Sequence, residues 1–249
     1  IYGSRASNGV IIITTKKGTA GKPQINFAAN WHVNTARKTL DLMDGATFAD
    51  VVRNKIATDG AIAQLGDANT DWQKEVLRTS FSQDYSLSVG GTAGFLPYRV
   101  NASYTNNQGI VKTSSMQRTT VGFNLNPKFF NGKLSINANA QGSYVETRNA
   151  DLGAIGSATA FNPTLPVKAD YPTRGNSGML AYNGYSNVLN EYGMPDTQAA
   201  QNPVQMLEDV NSKGKSLSST GNLQIDYALH FLPELHFNLN LGYQVSQNK

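Results

Sequence analysis

The sequence predicts an all-β fold, an antiparallel up-and-down β-barrel that crosses a membrane with its strands. Apolar and polar residues alternate along seven segments, the segments are near or above the length of a membrane strand, and the connections between segments alternate in length. The seven segments are residues 24–33, 85–91, 98–105, 120–126, 134–144, 223–231 and 235–246.

The alternation puts apolar side chains on one face of each strand and uncharged polar side chains on the other. In residues 24–33, for example, Ile25 and Phe27 share one face, and Asn26 and Asn30 share the opposite face. Soluble strands are most often about 5–6 residues long, whereas a tilted membrane strand needs about 9–11. A soluble antiparallel sandwich with one wet face would show the same alternation, so this pattern alone leaves both folds open.

The order of the connections favours the barrel. Short turns are predicted at residues 94–97, 127–133 and 232–234, and long connections at residues 34–84, 106–119 and 145–216. Short and long connections alternate without exception, as they do when periplasmic turns are short and extracellular loops are long. A Greek-key sandwich has no reason to keep this order. Aromatic residues near the strand ends are predicted to form interfacial girdles, namely Trp31, Tyr85, Tyr98, Tyr144 and Tyr243.

Two short helices are predicted within the first long connection. Residues 46–57 place Phe48 and Val52 on one helical face, with Asp44 as the expected N-cap. Residues 71–77 are predicted to form the second helix. We expect both helices to pack over the barrel mouth.

The third long connection holds the candidate binding residues. A structureless loop of this length is uncommon and is often functional. Polar aromatic side chains stack on sugars or pack against a protein partner. The candidates for contact with a ligand or a lid protein are Tyr171, Tyr182, Tyr185 and Tyr192. Packing of these tyrosines within the loop is the alternative, and the sequence leaves it open.

The first residues differ from the rest of the chain. Residues 10–15 are β-branched and apolar on both faces, which is typical of a strand that is buried on both sides. Residues 19–23 are predicted to be a linker. The sequence therefore predicts two structural units, residues 1–18 and residues 24–249.

Other chemistry has little support in the sequence. There is no cysteine, and the net charge of +4 comes from scattered lysines and arginines, so neither a thiolate site nor a nucleic-acid surface is expected. His230 and His236 flank a turn but lack a third ligand at metal-site spacing. Residues 18–23 do not match a phosphate-binding loop. We expect no enzyme activity, no metal and no cofactor.

Residues 1–18, IYGSRASNGVIIITTKKG, resemble the end of the plug domain in TonB-dependent outer-membrane receptors, and in particular the SusC/RagA branch of Bacteroidota. Later motifs continue the resemblance: Asp71-Trp72-Gln73, residues 82–91, Gly109-Ile110-Val111, Asn162-Pro163-Thr164 and Asn202-Pro203.

The resemblance implies a barrel of about 22 strands closed by a plug, in the outer membrane of a Gram-negative bacterium. It also implies a SusD-type surface lipoprotein as a lid, TonB as the energy-coupling partner, and oligosaccharides or peptides as imported substrates. The chain would then be a fragment, namely the end of the plug and about seven barrel strands. Because open strand edges are not tolerated in lipid, such a fragment would not transport alone.

Two alternatives stay open on the sequence. A cell-surface β-rich adhesin would bind partners without transport. A barrel-embedded hydrolase would need catalytic residues, and no Ser-His-acid arrangement is evident in the sequence.

Overall fold

The computed structural model describes residues 22–169, 179–188, 194 and 196–249. The predictions for the buried strand at residues 10–15 and for the start of the linker lie outside the described residues. The strands are β1 (Gln24–Asn34), β2 (Ser80–Ala93), β3 (Leu96–Gln108), β4 (Ser115–Leu125), β5 (Lys128–Phe129), β6 (Leu134–Asn149), β7 (Met179–Tyr182), β8 (Tyr185–Val188), β9 (Ser212–Ala228) and β10 (His236–Asn248).

Seven long strands form one antiparallel sheet in the order β1-β2-β3-β4-β6-β9-β10. The short β5 pairs with β6, and β7 pairs with β8 in a separate hairpin. Each long strand lies beside its neighbour in the sequence of long strands, so the up-and-down order is confirmed. The chain therefore has the predicted all-β, partial-barrel architecture.

The strands are longer than the alternation predicted. β2 begins at Ser80 rather than residue 85, and β9 begins at Ser212 rather than residue 223. The extra residues are mostly polar, with Phe81 and Leu217 as isolated apolar positions, so they carry little periodic signal. They still pair with a neighbour, as Arg148 does with Lys213, because backbone hydrogen bonding continues where the hydrophobic pattern has ended. The long connections are accordingly residues 35–79, 109–114 and 150–211.

The strand register assembles the apolar residues into a continuous band on one face, here called the outward face. One row of directly paired residues crosses all seven long strands: Ile25, Val89, Val100, Phe123, Ala140, Gly221 and Tyr243. Many of these side chains are exposed, for example Ile25 at 70% and Phe123 at 47%. In a membrane barrel such a face contacts lipid.

The band is inclined to the rows, and the inclination gives the strand tilt. On β1 the band runs from Ile25 to Val33, and on β10 it runs from Phe237 to Val245. The row of directly paired residues places Ile25 level with Tyr243, so the band on β10 is displaced along the strands relative to the band on β1. The band thus shifts by about six positions, or about 20 Å, over six strand spacings of about 4.8 Å each. These lengths correspond to a tilt of about 35°, within the range of transmembrane barrels. Eight positions at this tilt span about 22 Å along the membrane normal.

The opposite face of the sheet is polar. One row on this face is built almost wholly of hydroxyl side chains: Ala28, Ser86, Ser103, Thr120, Ser143, Ser218 and Ser246. Thr120 donates a hydrogen bond to Ser143 at 3.2 Å. A face of amides and hydroxyls is typical of a water-filled barrel interior.

The long connections carry all the α-helices of the described residues. They are α1 (Gly45–Val51), α2 (Asp59–Ile62), α3 (Trp72–Val76), α4 (Gly153–Ala160) and α5 (Pro203–Asp209), with a π-helical turn at Val52–Ile56 after α1. The two predicted helices are confirmed, and Asp44 caps α1 by accepting a hydrogen bond from the Thr47 N–H at 2.8 Å. None of the helices in the described ranges has the length and apolarity that a membrane span requires.

Candidate functional site

The three long connections leave the same end of the sheet and share one hydrophobic core. We call them together the loop module: residues 35–79, residues 109–114 and the described part of residues 150–211. The core consists of Trp72, Val76, Val111, Ala154, Ala158, Phe161, Leu165, Tyr185, Val204 and Leu207. The sheet itself has an exposed apolar face instead of such a core. The loop module is therefore the part of the described chain that packs like a globular domain.

Trp72 joins the first connection to the third. Its side chain is 3% exposed and packs edge-to-face on Phe161, with ring centroids 4.7 Å apart. Its Nε1–H donates to the Asn162 carbonyl oxygen at 2.9 Å. A buried indole N–H needs such a partner. Trp72 therefore anchors α3 to the turn after α4.

That turn, residues 162–165, is the main point of contact between the two connections. The N–H groups of Ala68 and Thr70 donate to the carbonyl oxygens of Thr164 and Pro163, at 2.9 and 2.8 Å. Gly66 approaches so closely that a Cβ atom there would lie 2.4 Å from the Thr164 carbonyl oxygen. Two segments almost a hundred residues apart in sequence are thus joined through their backbones.

The second connection is tied to α3 in the same way. The Lys112 N–H donates to the Val76 carbonyl oxygen at 2.9 Å, and the Arg78 N–H donates to the Ile110 carbonyl oxygen at 2.8 Å. The Arg78 guanidinium also donates to the Ser114 carbonyl oxygen at 2.9 Å. All three connections therefore hold one another in place.

Asn202 organises the interior of the third connection. It is fully buried, caps α5 by accepting from the N–H groups of Val204 and Gln205, and donates to the carbonyl oxygens of Val167 and Ser186 at 2.9 and 3.1 Å. Its side-chain amide thus has partners for both donors and for its acceptor. This network fixes α5 against β8.

An open cavity of about 590 Å³ lies between the first and third connections. Its lining combines the segment 39–44, the start of α3 and the end of α4, and includes Asp41, Phe48 and Lys74. Gln73 holds one wall, because its side-chain amide accepts from the Leu40 N–H at 2.9 Å and donates to the Leu40 carbonyl oxygen at 2.7 Å. This volume lies within the range of cavities that bind drug-sized small molecules.

The cavity is rich in carboxylates. The Lys74 ammonium lies 2.7 Å from Asp71 and lowers the pKa of that carboxyl. The Thr47 backbone N–H lowers the pKa of Asp44 in the same direction. Asp41 also lines the cavity. The lowered pKa values keep Asp71 and Asp44 ionised at neutral pH, so the cavity presents hydrogen-bond acceptors to the hydroxyl or amide groups of a ligand.

Tyr185 is buried, at 7% exposure, and its side chain therefore packs within the loop module, which is the alternative that the sequence left open for it. Its hydroxyl donates to the Glu208 carboxylate on α5, and Lys168 lies over its ring, 5.2 Å from the centroid. The hydrogen bond to Glu208 raises the pKa of Tyr185 to about 12. The burial follows from contacts with residues distant in sequence.

Of the other candidate tyrosines, Tyr182 pairs through its backbone with Tyr185 in the β7–β8 hairpin. Tyr171 and Tyr192 lie outside the described residues. A role of the four tyrosines in binding stays a prediction. His230 and His236 have separate partners, the Tyr227 hydroxyl at 2.6 Å and Asp226 at 2.8 Å.

Comparison with curated proteins decides the family. The chain is 41% identical, over 97% of its length, to the TonB-dependent receptor SusC of Bacteroides thetaiotaomicron. The chain belongs to the SusC-like TonB-dependent receptors. It is also 36% identical over 121 residues to the TonB-dependent receptor P3 of Formosa agariphila, and 26% identical over 236 residues to receptor P26 of that organism. No family model matches the chain.

Solved structures support the fold of this SusC-like receptor chain. It superimposes over its whole length on the RagAB peptide importer in the closed-closed state, with a TM-score of 0.66 and 19% identity. For a second structure of the RagAB peptide transporter the TM-score is 0.70 at 18% identity, over 99% of the chain. The chain spans 25% of SusC and about 30% of the RagAB chain.

Several of the later motifs that support the resemblance hold the loop module together in this SusC-like chain. Trp72 binds Asn162, and Asn202 holds the carbonyl oxygens of neighbouring segments. Val111 forms an isolated bridge with Leu77 at the end of α3. Sequence reasoning found these residues by resemblance, whereas the structure gives the physical reason for each.

Proposed function

We propose that the full-length receptor containing this chain imports oligosaccharides or peptides across the outer membrane, driven by TonB and covered by a SusD-like lipoprotein lid. The observation that carries the proposal is the 41% identity to SusC over almost the whole chain. The polar face of the sheet supports it, because hydroxyl and amide side chains suit a hydrated passage. Residues 1–18 are proposed to end the plug, and residues 24–249 to begin the barrel.

The loop module is proposed to contact the substrate or the lid. Its shared core holds the cavity walls in a fixed arrangement, which lowers the entropic cost of binding. The cavity lined by Asp41 is the proposed site on the described residues, and Tyr171, Tyr182 and Tyr192 are proposed as further contacts. Tyr185 could contact the substrate or the lid directly only if its hydroxyl released the hydrogen bond to the Glu208 carboxylate.

Uptake by cells tests the proposal. A strain that lacks the gene should lose uptake of one class within a panel of labelled oligosaccharides and peptides, and removal of TonB should abolish that uptake. The receptor itself should fractionate as an integral, heat-modifiable outer-membrane band. A surface adhesin would retain binding without TonB and would leave the membrane with chaotropes, and that result would overturn the transport proposal.

A matched pair of variants tests the cavity. Asp41→Asn removes a carboxylate that lines the cavity, and Asp59→Asn removes one from α2, outside the cavity lining. We expect Asp41→Asn to raise the half-saturation concentration for uptake several-fold and Asp59→Asn to leave it unchanged. Equal values for both variants would remove the cavity from the substrate path.

A further inference from the structure

The charges on the outward face are concentrated in one corner. Among the described strands, the charged residues of this face are Glu146, Arg148, Lys213, Lys215 and Lys249. Four of them lie on β6 and β9, and Lys249 directly follows β10; all lie beyond the apolar band on the side of the long connections. The corresponding positions on β3 and β4 are uncharged, namely Asn106, Gln108, Ser115 and Gln117.

The four cations form a compact block. Arg148 is paired directly with Lys213, and Lys215 exchanges two backbone hydrogen bonds with Lys249, at 2.9 and 2.8 Å. Side chains that are directly opposite in an antiparallel sheet lie about 5 Å apart, and like charges in such positions repel. The sequence therefore places two repelling pairs side by side.

The protein neutralises only part of this charge. Glu146 lies 3.0 Å from the Lys215 ammonium and also accepts from the Tyr144 hydroxyl at 2.6 Å. Among the described residues, four cations and one carboxylate leave a surplus of three positive charges on this part of the face. The Arg148 Nε–H is buried there and has no hydrogen-bond partner within the described part of the chain. An anion from outside the chain would neutralise the surplus charge, and the outer nitrogens of the guanidinium are the donors it would meet first.

The height of the block suggests the source of that anion. Arg148 lies four positions beyond Tyr144, and Lys213 four positions beyond Leu217, where Tyr144 and Leu217 end the apolar band on their strands. Four positions at a tilt of about 35° rise about 11 Å above the band. The polar headgroup layer extends about 5–8 Å from the hydrocarbon on each side, and long cationic side chains bend toward its phosphates.

We propose that this block binds the phosphate groups of a phosphorylated glycolipid in the outer leaflet. The inference rests on the proposed function, because it requires the long connections to face outward. The block carries the complementary charge at headgroup height, and Arg148 supplies the planar guanidinium that pairs with phosphate in two parallel hydrogen bonds. The bound lipid would fix the receptor against the outer leaflet beneath the loop module.

The test uses the full-length receptor in detergent and native mass spectrometry. The probes are phosphorylated lipid A, its dephosphorylated form and phosphatidylglycerol, with inorganic phosphate as a competitor. The block variant combines Arg148→Gln, Lys213→Gln and Lys249→Gln, and leaves the Lys215–Glu146 pair intact. The control combines Arg53→Gln, Lys38→Gln and Lys55→Gln, which remove one arginine and two lysines from the first connection.

The wild-type receptor and the control should retain phosphorylated lipid A, and the block variant should bind it about a hundredfold more weakly. Unchanged binding by the block variant, or equal retention of the dephosphorylated form, would overturn the proposal. Equal retention of phosphatidylglycerol, or displacement by inorganic phosphate at the lipid concentration, would overturn the assignment to a glycolipid. Heat-modifiability checks that each variant is folded. Failure of the uptake test would leave these lipid measurements intact, so the two proposals fail separately.

Discussion

The ring of Tyr243 lies across Gly221 on the outward face of the sheet. A Cβ atom at Gly221 would come within 2.2 Å of the Tyr243 Cε1 atom and 3.0 Å of the Asn139 carbonyl oxygen. The Tyr243 hydroxyl lies 3.1 Å from the Ser219 hydroxyl, which holds the ring over the glycine. An aromatic ring that covers a cross-strand glycine stabilises the pairing of the two strands.

Gly221→Ala should therefore destabilise the folded receptor by about 1–3 kcal/mol, because the ring has to leave its place and the Asn139 carbonyl leaves no room on the other side. The measurement is the temperature at which the heat-modifiable band is lost. Gly142→Ala is the matched control, since a Cβ there meets only the Ser218 carbonyl oxygen, at 4.0 Å. Equal midpoints for the two variants would show that the Tyr243 ring does not constrain Gly221.

Trp72→Phe should loosen the loop module while leaving the barrel intact. The variant keeps an aromatic ring against Phe161 but removes the indole donor from the Asn162 carbonyl oxygen, which keeps the Leu165 N–H at 3.3 Å. We expect a cost of about 0.5–1.5 kcal/mol. Hydrogen exchange should accelerate in α3 and residues 162–165 and stay unchanged in β2 and β3. Trp31→Phe serves as control, because Trp31 is 59% exposed on the outward face. Faster exchange throughout the barrel would contradict a separate loop module.

Tyr185→Phe tests the bond between β8 and α5. Loss of the hydroxyl leaves Glu208 without this donor, so we expect about 1–2 kcal/mol less protection of the α5 amides from exchange. The raised pKa of Tyr185, about 12, means that the bond stabilises the wild type below pH 10 and is lost as the pH rises toward 12. The variant should lack this alkaline transition. An identical transition in both proteins would assign it to another group.

Acid should open the start of α3. The pKa of Asp71 lies below its ordinary value of 3.8, mainly because of the Lys74 ammonium, so the pair stabilises the helix above that pH and is lost as the pH falls below it. Exchange of the α3 amides in the wild type, relative to Asp71→Asn at the same pH, should be slower at pH 7, and the two rates should converge as the pH falls below 3.8. A ratio that does not change with pH would exclude the ion pair as the cause.

The sequence was sufficient for the strands of the barrel because alternation is a local signal. The register is not local, so the inclined band and the strand tilt emerge only from the pairing of residues such as Ile25 with Val89. The polar strand ends that carry Arg148, Lys213 and Lys215 were predicted to be loops, because the alternation of apolar and polar residues stops there while the strand pairing continues.

The helices of the third connection show two different limits. Asn202-Pro203 is an N-cap followed by proline at the first helical position, a signal for α5 that the sequence does contain. α4 has no comparable signal, since its glycine, alanine, serine and threonine residues form no apolar stripe and only packing buries Ala154 and Ala158. The burial of Tyr185 likewise depends on Glu208, 23 positions away.

The shared core of the three connections also restricts how this receptor can be re-engineered. A first connection transplanted from a relative without Trp72 would remove the indole donor from the Asn162 carbonyl oxygen and the ring contact with Phe161. Chimeras that exchange all three segments together would keep these contacts. The three connections of this chain are thus expected to be exchangeable only together, as one structural unit.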